Sequence, residues 1–236
     1  KGKATILTKV LFREYILNHQ GEEGFLKFFE PLLLTLCCNE AITTVVEQQI
    51  IKYRIPRDKL PQLMMKIHTL KGDTHGWLQE GEKLMLEDKA VAGDVLQHYL
   101  QTSNQDFLRA ARKIFYKSTF RHNFLEFIYN HINQNQAPNF YKDLLKALVD
   151  RTRNAEYYKE LRELMEPEEK ETFIGAYKRN QDFYTLMLAI ENRHEEILEL
   201  LNREEYLRDF TSIIRRILYV YPDESYKQLK NKCLEK

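Results

Sequence analysis

Glycine and proline are scarce, with eight and six among 236 residues, roughly half the ordinary usage of ~7% and ~5%. So few chain breakers argue against an all-β domain, whose many tight turns need them, and favour long helical segments. Cysteine is nearly absent: only Cys37, Cys38 and Cys233 occur. An odd count with one adjacent pair is no disulfide framework, and a reducing, cytoplasmic compartment is expected. No apolar run approaches the ~18–20 residues needed to span a bilayer; the strongest, Leu32 to Cys38 behind Pro31, is far shorter. A dominant charge is missing too. Lys and Arg number 36 against 35 Asp and Glu, a net +1, which excludes nucleic-acid binding by bulk charge. What remains is 43% hydrophobic and 30% charged, too apolar for a disordered chain.

Helical periodicity runs through most of the sequence. Ile6, Leu7, Val10, Leu11, Glu14, Tyr15 and Asn18 share one side of a first predicted helix. Gly21 and Gly24 break it before a stripe of Phe25, Phe28, Phe29, Leu32 and Leu33. Ile42, Val45, Val46 and Ile50 mark a third helix ending before Pro56. Leu63, Met64, Ile67, His68 and Leu70 mark a fourth, closed by Lys71-Gly72-Asp73. The short spacers suit antiparallel neighbours, joined in helical bundles by ~2–8 residues. Ser103 followed by Asp106 reads as a helix start, and Asn192 followed by Glu195 repeats it. Pro167-Glu168-Glu169 and Pro222-Asp223-Glu224 are first-turn signatures, because proline lacks only an amide that is unpaired there and the acids face the positive helix end.

These signals recur with a period. Phe107, Phe140, Phe173 and Tyr206 are spaced 33 apart; Leu108, Tyr141, Ile174 and Leu207 follow them, and Ala111, Leu144, Tyr177 and Phe210 lie a turn further on. A second-helix echo pairs Phe124 with Tyr157 and Ile128 with Leu161. Repeats of roughly 33–47 residues are helix–turn–helix units that stack. The expected fold is therefore all-α, a right-handed, tetratricopeptide-like α-solenoid of stacked antiparallel helical hairpins over residues 104–236. Residues 1–103, where the period fails, are expected to form a helical bundle or degenerate repeats. The chain opens on Lys1 and closes on Lys236 inside a helical pattern, and is read as a piece of a longer protein.

From Asp182 to Lys236 a further pattern stands out. Phe183-Tyr184-Thr185-Leu186-Met187-Leu188-Ala189-Ile190 leads through Asn192-Arg193-His194-Glu195-Glu196 to Ile197-Leu198-Glu199-Leu200-Leu201. Tyr206, Leu207, Ile217 and Leu218 follow, and Tyr221-Pro222-Asp223-Glu224 opens a last helix with Tyr226. This resembles the helical-repeat region that follows the zinc finger in bacterial SWIM-type zinc finger proteins. The finger itself, a Cys-x-Cys pair followed by Cys-x-His, is absent from this chain, so no metal or nucleic-acid role of the finger carries over.

Chemistry-bearing motifs are few. Cys37 and Cys38 are adjacent, about 100° apart on a helix, and read as buried structural residues rather than metal ligands. His68, His75, His122 and His131 follow no ligand spacing, a His68/His75 pair across the Gly72 turn being the one conceivable exception. Gly72-Asp73-Thr74-His75-Gly76-Trp77 lacks the phosphate-cradle pattern and reads as a helix–helix turn: Gly72 ends one helix, Asp73 or Thr74 caps the next, and Trp77 packs beneath. No Gly-x-Ser-x-Gly, Gly-x-Gly-x-x-Gly or His-Glu-x-x-His occurs, so neither an enzyme nor a cofactor is expected.

One charge feature rises above background. Arg109, Arg112, Lys113, Lys117 and Arg121 follow helical spacing, and Lys142, Lys146, Arg151 and Arg153 follow one repeat later. In stacked repeats such cations form a stripe that faces phosphates or an acidic partner. Glutamates are dense just beyond it, from Glu156 to Glu171, and with a net charge of only +1 this favours a solvated face with charge pairing between helices over a nucleic-acid site. The expected function is a non-catalytic scaffold for a protein or peptide partner; the alternative is a nucleic-acid-associated module using the stripe. No membrane partner is expected.

Overall fold

A computed structural model describes residues 2–19, 25–37 and 39–201. Thirteen α-helices and three short 3₁₀ turns are found among them, and no strand. The helices are α1 (Gly2–His19), α2 (Phe25–Leu36), α3 (Glu40–Lys52), α4 (Pro61–Lys71), α5 (Thr74–Leu84), α6 (Lys89–Thr102) and α7 (Asn104–Lys117), followed by α8 (Leu125–Tyr129), α9 (Pro138–Thr152), α10 (Ala155–Arg162), α11 (Pro167–Ala176), α12 (Gln181–Ile190) and α13 (His194–Leu201). The chain is all-α. It divides into two compact units, Lys1–Phe124 and Leu125–Lys236. Among the described residues, no helix is long and apolar enough to cross a membrane.

Local chemistry sets the helix ends. Asn39 caps α3, its side chain accepting from the Ile42 amide at 3.1 Å, and Ser103 caps α7 by accepting from Asp106 at 3.3 Å. Pro167 stands in the first turn of α11 with Glu168 and Glu169 behind it. Gly72 stops α4 in the left-handed region (φ 67°), where glycine meets no Cβ penalty. The Gly72 amide then reaches Thr69 O (3.2 Å) and the Asp73 amide reaches His68 O (2.9 Å), a Schellman closure. Asn192 does the same after α12: at φ 58° it donates to Ala189 O, and Arg193 donates to Leu188 O. Its role is thus to end α12, whereas the sequence pattern assigns it to the start of the next helix. Pro222 lies outside the described residues.

In the first unit α1 packs on α3, α2 on α3 and α4, and α4 through α7 pack each on the next. The core joins Phe12, Ile16, Phe29, Leu33, Val46, Ile50, Leu60, Leu63 and Ile67. Ile42, Val45, Val46 and Ile50 are all buried, as the periodicity requires. At the start of α4, Leu60 offers no cap, so Glu30 of α2 accepts the Leu63 amide instead (2.9 Å). Lys66 returns the contact by donating to Leu34 O at the end of α2 (2.8 Å). Each helix end thereby meets a charge opposite to its dipole.

The first helix corrects the sequence reading. Its buried face is Thr8, Phe12 and Ile16, whereas Ile6, Leu7 and Val10 of the expected stripe are exposed, together with Leu17. Phe12 meets the edge of Phe29, and Tyr15 stacks on Phe29 at 4.5 Å. One aromatic anchor outweighs a larger number of aliphatic residues in choosing the face. Phe28 of the second stripe is 73% exposed, and Phe29 and Leu33 carry the burial instead.

In the second unit α8 packs on α9, α9 on α10, α10 on α12, and α12 on α11 and α13. The core runs from Tyr141, Leu145 and Val149 through Tyr158, Leu161 and Ile174 to the almost wholly buried α12, Ile197 and Leu200. Of the 33-spaced residues, Phe107 and Phe140 are buried and Phe173 is half-buried; Tyr206 lies outside the described residues.

Candidate functional site

The basic residues singled out by the sequence fall on α7 and α9 and just beyond them. Phe107, Ala110, Ala111, Ile114 and Phe115 turn one face of α7 into the core, which leaves the cations on the other. There they meet a carboxylate. Glu82 of α5 accepts from Arg109 Nη2 at 2.7 Å, from Lys113 Nζ at 3.1 Å and from the Tyr99 hydroxyl at 2.5 Å. Burial raises the Glu82 pKa, but the hydrogen bonds from Tyr99 and Lys113 outweigh it, and the carboxyl sits below its usual range. The Tyr99 phenol moves the other way, pushed up to about 12 by burial and by Glu82. Arg109 also reaches Asp106 at 3.0 Å. Arg112 and Lys117 are exposed, and the Arg121 guanidinium lies 5.8 Å from the Phe115 ring centre.

In the second unit Lys142 and Lys146, one turn apart on α9, share the Glu169 carboxylate of α11, one oxygen each. Their hydrogen bonds hold Glu169 below the usual carboxylate range. Arg151 is exposed. Arg153 ends α9 in the left-handed region (φ 54°), and its guanidinium lies 4.7 Å from the Tyr177 ring centre and 3.8 Å from Asp150. Four of the nine cations therefore form two groups, Arg109 with Lys113 on Glu82 and Lys142 with Lys146 on Glu169, one in each unit.

Tyrosine–carboxylate contacts extend this pattern. Tyr129 donates to Glu160 at 2.6 Å and Tyr141 donates to the same carboxylate; Tyr158 donates to Glu191 at 3.0 Å, and Tyr177 to Asp150. Burial first and the carboxylate second push the Tyr129 phenol up to about 12. The sequence reading names Glu160 and Glu169 only within a run of glutamates and gives them no partners, and it misses Glu82, Asp150 and Glu191; yet a signal exists. Arg109–Glu82, Lys142–Glu169 and Tyr177–Asp150 are all 27 residues apart, about the step from a helix to the next helix but one.

His68, His75 and His131 each have a partner of their own. His68 Nδ1 bonds Asp73, His75 pairs with Gln79, and His131 bonds the Phe127 carbonyl. Among the described residues, no three His, Cys, Asp or Glu side chains are grouped to hold a metal ion. Cys37 is fully buried, whereas Cys38 and Cys233 lie outside the described residues. No protein-family model matches the chain, and neither a curated protein nor a solved structure matches it.

Proposed function

We propose that the chain is a stack of antiparallel helical hairpins, tetratricopeptide-like in arrangement, that serves as a non-catalytic scaffold for a protein or peptide partner. The observation that carries this reading is the use of the charged stripe. Four of its nine cations are clasped by carboxylates of another helix, a use of charge that fixes helix against helix rather than presenting it to phosphates. Neighbour-to-neighbour packing with α10 on α12, and the placing of Phe107, Phe140 and Phe173 on the alternate helices α7, α9 and α11, support stacked hairpins. The resemblance of residues 182–236 to the repeat region of SWIM-type zinc finger proteins accords with it. Solenoids use such surfaces to grip extended or helical partners.

The test is capture from a native extract on the immobilised chain, followed by calorimetry of each captured protein in purified form. A stoichiometric partner with Kd near 1 μM (about −8 kcal/mol) supports the scaffold. Capture that disappears on nuclease treatment favours the nucleic-acid module.

A further inference from the structure

The turn between α4 and α5 does more than join two helices. It opens on a cavity of about 300 Å³ lined by His68 and Thr69 of α4, Asp73 of the turn, Trp77 of α5 and His98 of α6. Asp73 serves two groups at once. Its Oδ1 accepts the Gly76 amide at 3.0 Å and so caps α5, while Oδ2 lies 2.7 Å from His68 Nδ1. A carboxylate only accepts, so the imidazole donates this bond from Nδ1. The fit is close. A Cβ on Gly76 would stand 2.2 Å from His68 Nδ1 and 2.5 Å from Asp73 Oδ2, so glycine at this position is what lets α5 begin against the pair.

The lining offers the Asp73 carboxylate, with its negative charge, and the Thr69 hydroxyl oxygen as acceptors. The Gly76 amide and His68 hold the Asp73 carboxyl below its usual range, which keeps it ionised at neutral pH. The Thr69 hydroxyl donates to Met65 O at 2.9 Å, leaving its oxygen as an acceptor. Lys71, beside the turn, is engaged by Glu47 of α3. Trp77 and His98 add an aromatic corner, their ring centres 6.0 Å apart at 59°.

We infer that this pocket binds an organic ammonium group, a primary amine on a short alkyl chain. An ammonium brings three N–H donors to a lining of acceptors, a charge opposite to Asp73, and a cation for the Trp77 face. A carboxylate meets like charge and few donors, and an alcohol brings one donor and no charge. The inference stands apart from the scaffold reading and does not depend on it.

Trp77 is the only tryptophan of the chain, so its fluorescence reports this pocket. The intact chain is titrated with n-butylammonium chloride at about pH 7.5 and constant ionic strength, with n-butanol as the uncharged control. The expected result is a saturable change with half-saturation at about 1–10 mM and a response to n-butanol at least tenfold weaker. Asp73→Asn keeps an amide oxygen for the Gly76 amide but removes the charge; it weakens ammonium binding about tenfold with helicity unchanged. Gly76→Ala, which drives a methyl into the His68–Asp73 pair, removes the saturable response. No saturation by about 100 mM ammonium, an equal response to n-butanol, or a folded Asp73→Asn variant that binds as well as the wild type overturns the proposal. The comparison of the two ligands needs no variant, so a substitution that unfolds the chain leaves the test intact.

Discussion

α1 and α9 are helices of similar length, 18 and 15 residues, and they use their apolar residues in opposite ways. α9 has neighbours on two sides, α8 and α10, and buries Phe140, Tyr141, Leu144, Leu145, Leu148 and Val149. α1 packs chiefly on α3, buries Thr8, Phe12 and Ile16, and leaves four aliphatic side chains exposed. Their charges differ too: Lys142 and Lys146 of α9 are fixed by Glu169 of another helix. How much of a helix faces packed neighbours, rather than the number of its apolar residues, decides how much of it is core.

The contrast is sharpest in the core. Leu148→Ala removes a fully buried side chain of α9 and is expected to cost about 2–5 kcal/mol in urea unfolding. A loss under 1 kcal/mol would show that α9 is loosely packed. Next comes the fully buried Tyr158, whose hydroxyl donates to Glu191. Tyr158→Phe keeps the ring and is expected to cost about 1–2 kcal/mol, since the carboxylate loses a buried donor; an unchanged urea midpoint would mean that the hydroxyl contributes nothing.

Glu169→Gln acts through charge. The three side chains are 25–30% exposed, so the loss is expected at about 0.5–1 kcal/mol and shrinks in high salt. The pH dependence has a definite sign. A carboxylate depressed in the folded state contributes stability that is complete above its unfolded pKa of about 4.3 and is lost as pH falls through the lower folded value. The wild type should therefore lose this increment below about pH 4.3, and Glu169→Gln should show a shallower decline there. Parallel pH profiles would remove Glu169 from the clasp. The smallest effect belongs to α1: Val10→Ala, at a site 47% exposed, is expected to stay within about 0.5 kcal/mol of the wild type. A larger loss would mean that another surface covers this face in solution.

Helix existence and most ends were legible in the sequence because their causes are local. Ser103, Pro167 and Gly72 act through bonds within a few residues, and α3 and α4 offer one apolar stripe each. The face of α1 was not legible, since two stripes compete there and the choice depends on Phe29, which belongs to another helix. Asn192 is ambiguous in a string, because the same side chain suits a helix start and a left-handed stop. The stripe cations were legible as positions but not as pairs. Glu82 lies 27 and 31 residues from its two cations and Glu169 lies 27 and 23 from its own, and only packing brings them together. His98 joins the turn pocket from α6 without any local sign.

The scaffold reading is tested most directly by titrating a labelled 20-base-pair DNA duplex or a single-stranded RNA with the intact chain at ~50 and ~150 mM salt. With Arg109, Lys113, Lys142 and Lys146 held by carboxylates, no sub-micromolar binding is predicted at ~150 mM, where the screening length is about 8 Å. Sub-micromolar binding that falls steeply with salt and is abolished by Arg112→Glu, Lys113→Glu and Lys146→Glu together, with helicity retained, would contradict it.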